Sequence, residues 1–266
     1  MSWQKYSMVF RLESPLHIGY RKVGNLMQTR GYVPGKNLWA VLTARLTRDY
    51  DDGAKGQRYK AIGDLVQEHF RFPYLYPAMP DDNGYKVHYP WQEDFDYLFL
   101  NSYASAALDY ARQAAEDGLL HETEFIAPYT RTGRPVFLIG DFYVQTDLPA
   151  SLDNWLDALK KFQIGAERSY GWGRMQLVSH TKQDEPSTSA PRATTCNGRI
   201  TAHLKAEQNM TGIAGPVEPL IGWERNNDMG GNSRWRLSRQ AIICYAPGSM
   251  IDEDRDFIIG ADGRWE

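Results

Sequence analysis

Residues 6–12 alternate strictly: Tyr6, Met8, Phe10 and Leu12 fall on one side, and Ser7, Val9 and Arg11 on the other. That period of two predicts a half-buried strand. After a loop containing Gly19, Gly24 and Gly31, the period changes. Leu38, Val41, Leu42 and Leu46 form the apolar stripe of a helix over 37–48, started by Pro34 and Gly35. Residues 124–130 and 136–144 read as two strands of a hairpin joined through Arg131-Thr132-Gly133-Arg134-Pro135. Leu152, Trp155, Leu156 and Leu159 have helical spacing, and a glycine-rich turn at 165–173 leads into a strand at 174–180.

The order β-α-β-β-α-β predicts an α+β chain with a ferredoxin-like (RRM-like) domain over 1–180, its first strand central and its last strand beside it. A large insertion occupies 49–120. Its first part, 49–92, is irregular, and its alanine-rich part predicts one long helix over 95–117. Residues 181–198 are polar and rich in Pro, Ser and Thr, as in a linker or mobile loop. Residues 199–266 form a smaller β-rich C-terminal part, with strands expected at 199–206 and 238–246.

Several chemistries are excluded. No run approaches the ~18 apolar residues of a membrane helix, so no membrane partner is expected. Cys196 and Cys244 are too few for a disulfide framework, which points to a reducing, cytoplasmic location. Gly31-Tyr32-Val33-Pro34-Gly35-Lys36-Asn37 is one residue short of a phosphate loop and has Asn37 where a Ser or Thr is needed. The six histidines are scattered singly, and no HExxH, paired CxxC or GxSxG occurs, so neither a metal nor another cofactor is expected.

Two stretches point to an anionic ligand. The first is Gly165-Ala166-Glu167-Arg168-Ser169-Tyr170-Gly171-Trp172-Gly173-Arg174. Its glycines allow close backbone approach, Arg168 and Arg174 bring charge, and Tyr170 and Trp172 bring faces on which bases stack. The second is Ser14-Pro15-Leu16-His17-Ile18-Gly19-Tyr20-Arg21-Lys22. It opens a stretch, 14–48, with no Asp or Glu but with Arg21, Lys22, Arg30, Lys36, Arg45 and Arg48. The net charge of −3 is therefore a sum over a basic region and separate acidic clusters, and it does not exclude nucleic acid. His17 has two readings: a general acid/base or ligand contact, and a polar side chain satisfied by backbone, which is the commoner state of a lone histidine.

Together these motifs resemble the RAMP superfamily of CRISPR-associated proteins. The similarity lies in Ser14-Pro15-Leu16-His17-Ile18-Gly19 after the first strand, Tyr32-Val33-Pro34-Gly35 opening the first helix, and the glycine-rich loop ending at Arg174. The chain looks most like the subunit that caps the guide RNA 5′ handle in type III-like effector complexes. Glu218-Pro219-Leu220-Ile221-Gly222-Trp223 and Cys244-Tyr245-Ala246-Pro247-Gly248-Ser249 are similar to that subunit's second half, although a second glycine-rich loop is missing.

The resemblance implies a non-catalytic subunit whose partners are single-stranded CRISPR RNA and other effector subunits. RNA would be held by His17, Arg21, Lys22, Arg30, Lys36, Gly165, Arg168, Ser169, Tyr170, Gly171, Trp172, Gly173 and Arg174, with phosphate contacts setting register. The insertion's Tyr74, Tyr76, Tyr85, Tyr89 and Trp91, and the acidic clusters, are expected to meet neighbouring subunits or to cover the insertion's own core. The alternative is a metal-independent endoribonuclease that matures precursor CRISPR RNA, with His17 as general acid or base and Lys22 or Lys36 stabilising the phosphorane. An RNA-binding module outside CRISPR systems is the third reading.

Overall fold

The computed structural model describes residues 2–50, 58–183, 185–207, 210–225, 235–237 and 241–266. The chain is α+β, built mostly from antiparallel sheets with few helices. Its elements as far as residue 182 are, in chain order, β1 (Trp3–Leu12), β2 (Gly19–Val23), β3 (Leu26–Thr29), α1 (Gly35–Tyr50), α2 (Tyr59–His69), β4 (Phe70–Arg71), β5 (Tyr76–Asp81), β6 (Gly84–Val87), α3 (Phe95–Phe99), β7 (Leu100–Ser105), β8 (Leu108–Asp109), β9 (Ala114–Ala115), β10 (His121–Ile126), β11 (Phe137–Gln145), α4 (Trp155–Ala158), β12 (Lys161–Gln163) and β13 (Arg174–Lys182).

The main sheet runs β12-β13-β1-β11-β5-β6, with β4 also on β11. β1 is central, antiparallel to β11 on one side and β13 on the other. Its alternation sends Met8, Phe10 and Leu12 into the core beneath α1, whose Leu38, Val41, Leu42 and Leu46 are also buried there. Gly35 lets α1 start in tight contact. A Cβ there would lie 1.9 Å from the Phe72 carbonyl oxygen and 2.9 Å from that of Asp262. Among the described residues no helix is long and apolar enough to cross a membrane.

The helix expected over 95–117 is not formed. Only α3 is helical, anchored by buried Phe95 and Phe99, and the chain then continues as strands β7, β8 and β9. Helical propensity is a weak force without a face to bury. The segment from Asn101 to Ala104 is exposed on both sides, whereas pairing with β10 supplies backbone partners across six residues. The expected hairpin is likewise divided. Its turn exists, with Thr130 N–H on Arg134 O and Val136 N–H on Pro128 O. Beyond it the strands part: β10 joins β3 and β7, and β11 joins the main sheet. The helix suggested at 152–159 shortens to a 3₁₀ turn at Ala150–Leu152 followed by α4.

The later residues pair at Arg192–Thr194 with Asp256–Ile258, and at Val217–Leu220 with Ile242–Tyr245. Of the strands expected at 199–206 and 238–246, Leu204–Lys205 and Ile242–Tyr245 are strand, and 238–240 lie outside the described residues. Tyr32, Tyr74 and Tyr76 form one core with Ile200, Leu204, Ile251, Phe257, Ile259 and Trp265. Tyr74 and Tyr76 are therefore not outward contacts for neighbours, because the C-terminal part seals them. Tyr89 and Trp91 stack at 4.7 Å and pack against the same core.

Candidate nucleic-acid interface

The glycine-rich loop and the 14–17 turn, far apart in sequence, are stitched into one unit. Gly173 N–H donates to Pro15 O (2.7 Å), Ala166 N–H to His17 O (2.9 Å), and Arg174 N–H to Ser14 Oγ (2.9 Å). The contact is close because glycine stands at two places where nothing else fits. Gly165 has φ +87° and its Cβ would lie 2.4 Å from His17 O. Gly173 has φ +73° and its Cβ would lie 1.8 Å from Ile164 O. Glu167 also takes a left-handed φ of +54°, and a single 3₁₀ turn at Arg168–Tyr170 follows.

This backbone presents two aromatic rings differently. Tyr170 is 80% exposed. Trp172 is half-buried, edge-on to Phe125 at 5.0 Å and near Tyr103 at 6.5 Å. Strand register extends the same face. Lys22 lies opposite Met27, Met27 opposite Thr123, and Thr123 opposite Tyr103, so all four point to the side on which Trp172 packs. Arg168, Ser169 and Arg174 are exposed. His17 lies beneath this surface, 5% exposed, with its Nδ1–H donated to Glu124 O at 2.6 Å.

The other expected contacts go elsewhere. Arg21 faces the opposite side of its sheet and donates to Gln28 Oε1 (2.6 Å). Lys36 lies against Gly222 at the start of α1. Arg30 stacks over Tyr20 at 4.6 Å and donates to Glu218 Oε1 (2.7 Å) and to the Tyr32 hydroxyl (2.8 Å). His203 Nε2–H also donates to Glu218 Oε1 (2.5 Å), and the Tyr74 hydroxyl donates to His203 Nδ1 (2.6 Å). Burial on its own raises the Glu218 carboxyl. Hydrogen bonds from His203 and Arg30, with the charge of Arg30, outweigh it and hold the group at about 2. Burial pushes His203 below its usual value despite the Glu218 bond, so it stays neutral. This network joins the two parts of the chain through charged groups that are already paired.

Three cations outside the expected contact set join the loop instead. Arg45 and Arg48 of α1 and Lys161 of β12 line, with Arg168, Arg174 and Glu13, a pocket of about 520 Å³. Arg45 and Arg48 had a readable signal, since i and i+3 share a helix face. Lys161 had none.

No protein-family model matches the chain, and no curated protein does. Among solved structures, a chain of the cryo-EM structure of Type III-B Cmr-beta bound to cognate target RNA superposes with a TM-score of 0.50 at 11% identity, covering 92% of this chain and 86% of that one. The fold is shared with a chain of Cmr-beta. A chain of Cmr-beta with cognate target RNA and AMPPNP gives 0.49 at 10% identity, covering 92% and 85%. One from Cmr-beta in the apo state gives 0.41 at 8%, covering 65% and 96%.

Proposed function

We propose that this chain is a non-catalytic RNA-holding subunit of a type III CRISPR effector assembly, with the guide RNA 5′ handle lying on the glycine-rich loop. The observation that carries the reading is the stitched loop surface. Exposed Tyr170, edge-packed Trp172, Lys22 on the same face and the exposed Arg168 and Arg174 combine stacking faces with phosphate partners on a rigid backbone. We read the order β13-β1-β11-β5 around α1 and α4 as the ferredoxin-like arrangement that the RAMP resemblance implies. Protein neighbours then have the β7–β9 arm, where Tyr110 is 87% and Leu108 59% exposed. A soluble, cytoplasmic location follows from the same reading.

The endoribonuclease alternative asks His17 to reach a ribose hydroxyl or a leaving oxygen. Its burial under the loop and its bond to Glu124 O favour a structural role instead.

The test uses the purified full chain with its own repeat-derived single-stranded RNA in EDTA. We expect binding that weakens with salt and no cleavage, and a Tyr170→Ala/Lys22→Glu variant that binds roughly tenfold more weakly, in keeping with about 1–3 kcal/mol per stacked base. Site-specific cleavage abolished by His17→Ala replaces the scaffold reading with the nuclease one. Binding indifferent to salt removes the phosphate contacts.

A further inference from the structure

The pocket beside the loop has an unusual charge balance. Arg45, Arg48, Lys161, Arg168 and Arg174 surround it, against the single carboxylate of Glu13. Among the described residues none of these five cations makes an ion pair, although the chain pairs others readily, as in Lys5–Asp141 and Lys160–Asp157. Arg45 Nε is buried and has no hydrogen-bond partner among them, a state that folded proteins avoid unless something else completes it. The floor is apolar: Val41, Phe162 and Met175 are all buried. Cations held over an apolar floor attract an anion more strongly than the same cations spread over open surface.

Three different elements contribute to the cluster. Arg45 and Arg48 come from α1, Lys161 from the edge strand β12, and Arg168 and Arg174 from either end of the loop's second half. A solvated helix face would account for Arg48 alone. It does not account for convergence from three elements on a concavity of about 520 Å³, a size within the usual range of ligand sites. Trp172 does not line this pocket, so the loop has an aromatic side and a cationic side, with Arg168 and Arg174 at the cationic one.

We propose that this pocket binds phosphate groups of the single-stranded RNA, taking up the strand where it leaves the aromatic side of the loop. The proposal rests on the RNA-holding reading. The phosphate has two possible sources, an internal phosphodiester and a 5′-terminal monophosphate.

The experiment compares wild type, Arg48→Gln/Lys161→Gln, whose side chains are exposed, Arg45→Gln, and Tyr170→Ala from the loop face. Each full-length protein is titrated with the repeat-derived RNA carrying either a 5′-hydroxyl or a 5′-phosphate, over a range of salt. We expect the double variant to bind about tenfold more weakly. The salt slope should shrink by roughly 1.4, at about 0.7 per lost phosphate contact on a single strand. Preference for the 5′-phosphate RNA that disappears in the double variant identifies a terminal group, and equal loss on both RNAs identifies the backbone. The double variant should also melt at a higher temperature than wild type in low salt, because like charges have been removed, and inorganic pyrophosphate should raise the wild-type melting temperature alone. That combination of higher stability and weaker binding separates a binding site from a structural role.

Wild-type affinity and slope in both pocket variants, with Tyr170→Ala weakened, overturn the pocket and leave the RNA reading standing. The cluster is then a solvated face or a dock for an acidic protein surface. A wild-type chain that binds no RNA overturns the reading and the proposal together.

Discussion

Gly173→Ala is expected to destabilise the chain by about 3 kcal/mol and to weaken RNA binding at least tenfold. Two costs combine. A left-handed φ of +73° costs a residue with a Cβ about 1–2 kcal/mol. Forcing an atom into a filled site typically adds about 1–3 kcal/mol. The new Cβ would lie 1.8 Å from Ile164 O and about 3 Å from two further backbone atoms, none of which is the end of a flexible side chain. The loop must move, and both Gly173 N–H on Pro15 O and Ile164 N–H on Gly173 O are placed to break. Trp172 and Arg174 flank the moved residue, so the proposed RNA surface is lost with the stitch. Gly133→Ala is the control. It has a similar φ of +78° but open space around the Cβ, so it should cost only the conformational part, about 1–2 kcal/mol. Urea denaturation of both variants checks the difference. Equal midpoints would show that the loop relaxes and that its close approach to Ile164 is not required.

What could be read in advance followed from whether the controlling interactions were local. β1 and α1 were legible because each buries one face, and a one-sided burden writes its period directly into the sequence. Met8, Phe10 and Leu12 face the core as their spacing implies. The glycine loop was legible for a related reason, since positive φ narrows the choice of residue almost to glycine. The 95–117 segment misled because its alanines report propensity, whereas the fold there is decided by pairing with β10, whose sequence lies further on. Tyr74 and Tyr76 looked like outward contacts because their cover, Ile200 to Trp265, lies more than a hundred residues away. The same distance hid the role of Arg30, whose partner Glu218 is 188 residues distant. In the pocket, Lys161 became relevant only once β12 had paired with β13 beside α1. Local spacing specified the elements, and the charge partnerships came from topology.

The buried network should dominate the acid stability of the molecule. Arg30 and Glu218 have side chains only 13% and 14% exposed, and His203 is fully buried. Glu218→Ala leaves a guanidinium and an imidazole without their shared acceptor, and breaking one side of such a pair costs about 3–5 kcal/mol. At roughly 2–4 °C per kcal/mol for chains of about 150–250 residues, slightly shorter than this one, the melting temperature should fall by roughly 6–20 °C. Replacing both partners, as in Arg30→Met/Glu218→Leu, should cost less than Glu218→Ala alone, because no charge is then stranded. The pH dependence has a definite sign. The Glu218 carboxyl is held at about 2 in the folded chain against 4.5 when free, so its contribution is complete above 4.5 and is lost as pH falls toward 2. His203 acts in the same direction from higher pH. Its folded value lies below 6.5, so protonation below that range favours the unfolded chain. Wild type should therefore lose stability progressively below about pH 6.5, and Glu218→Ala should show a shallower acid slope below about pH 4.5, on a lower baseline. Parallel melting curves from pH 7 to 3 would assign acid sensitivity to other carboxylates. Among the described residues the hydrogen bonds of Arg30, Glu218 and His203 do not involve the 165–174 loop, whose Trp172 packs on Phe125 and Tyr103. RNA affinity measured well below the melting temperature should therefore be unchanged in Glu218→Ala, which distinguishes a clamp between the two parts of the chain from a member of the binding surface.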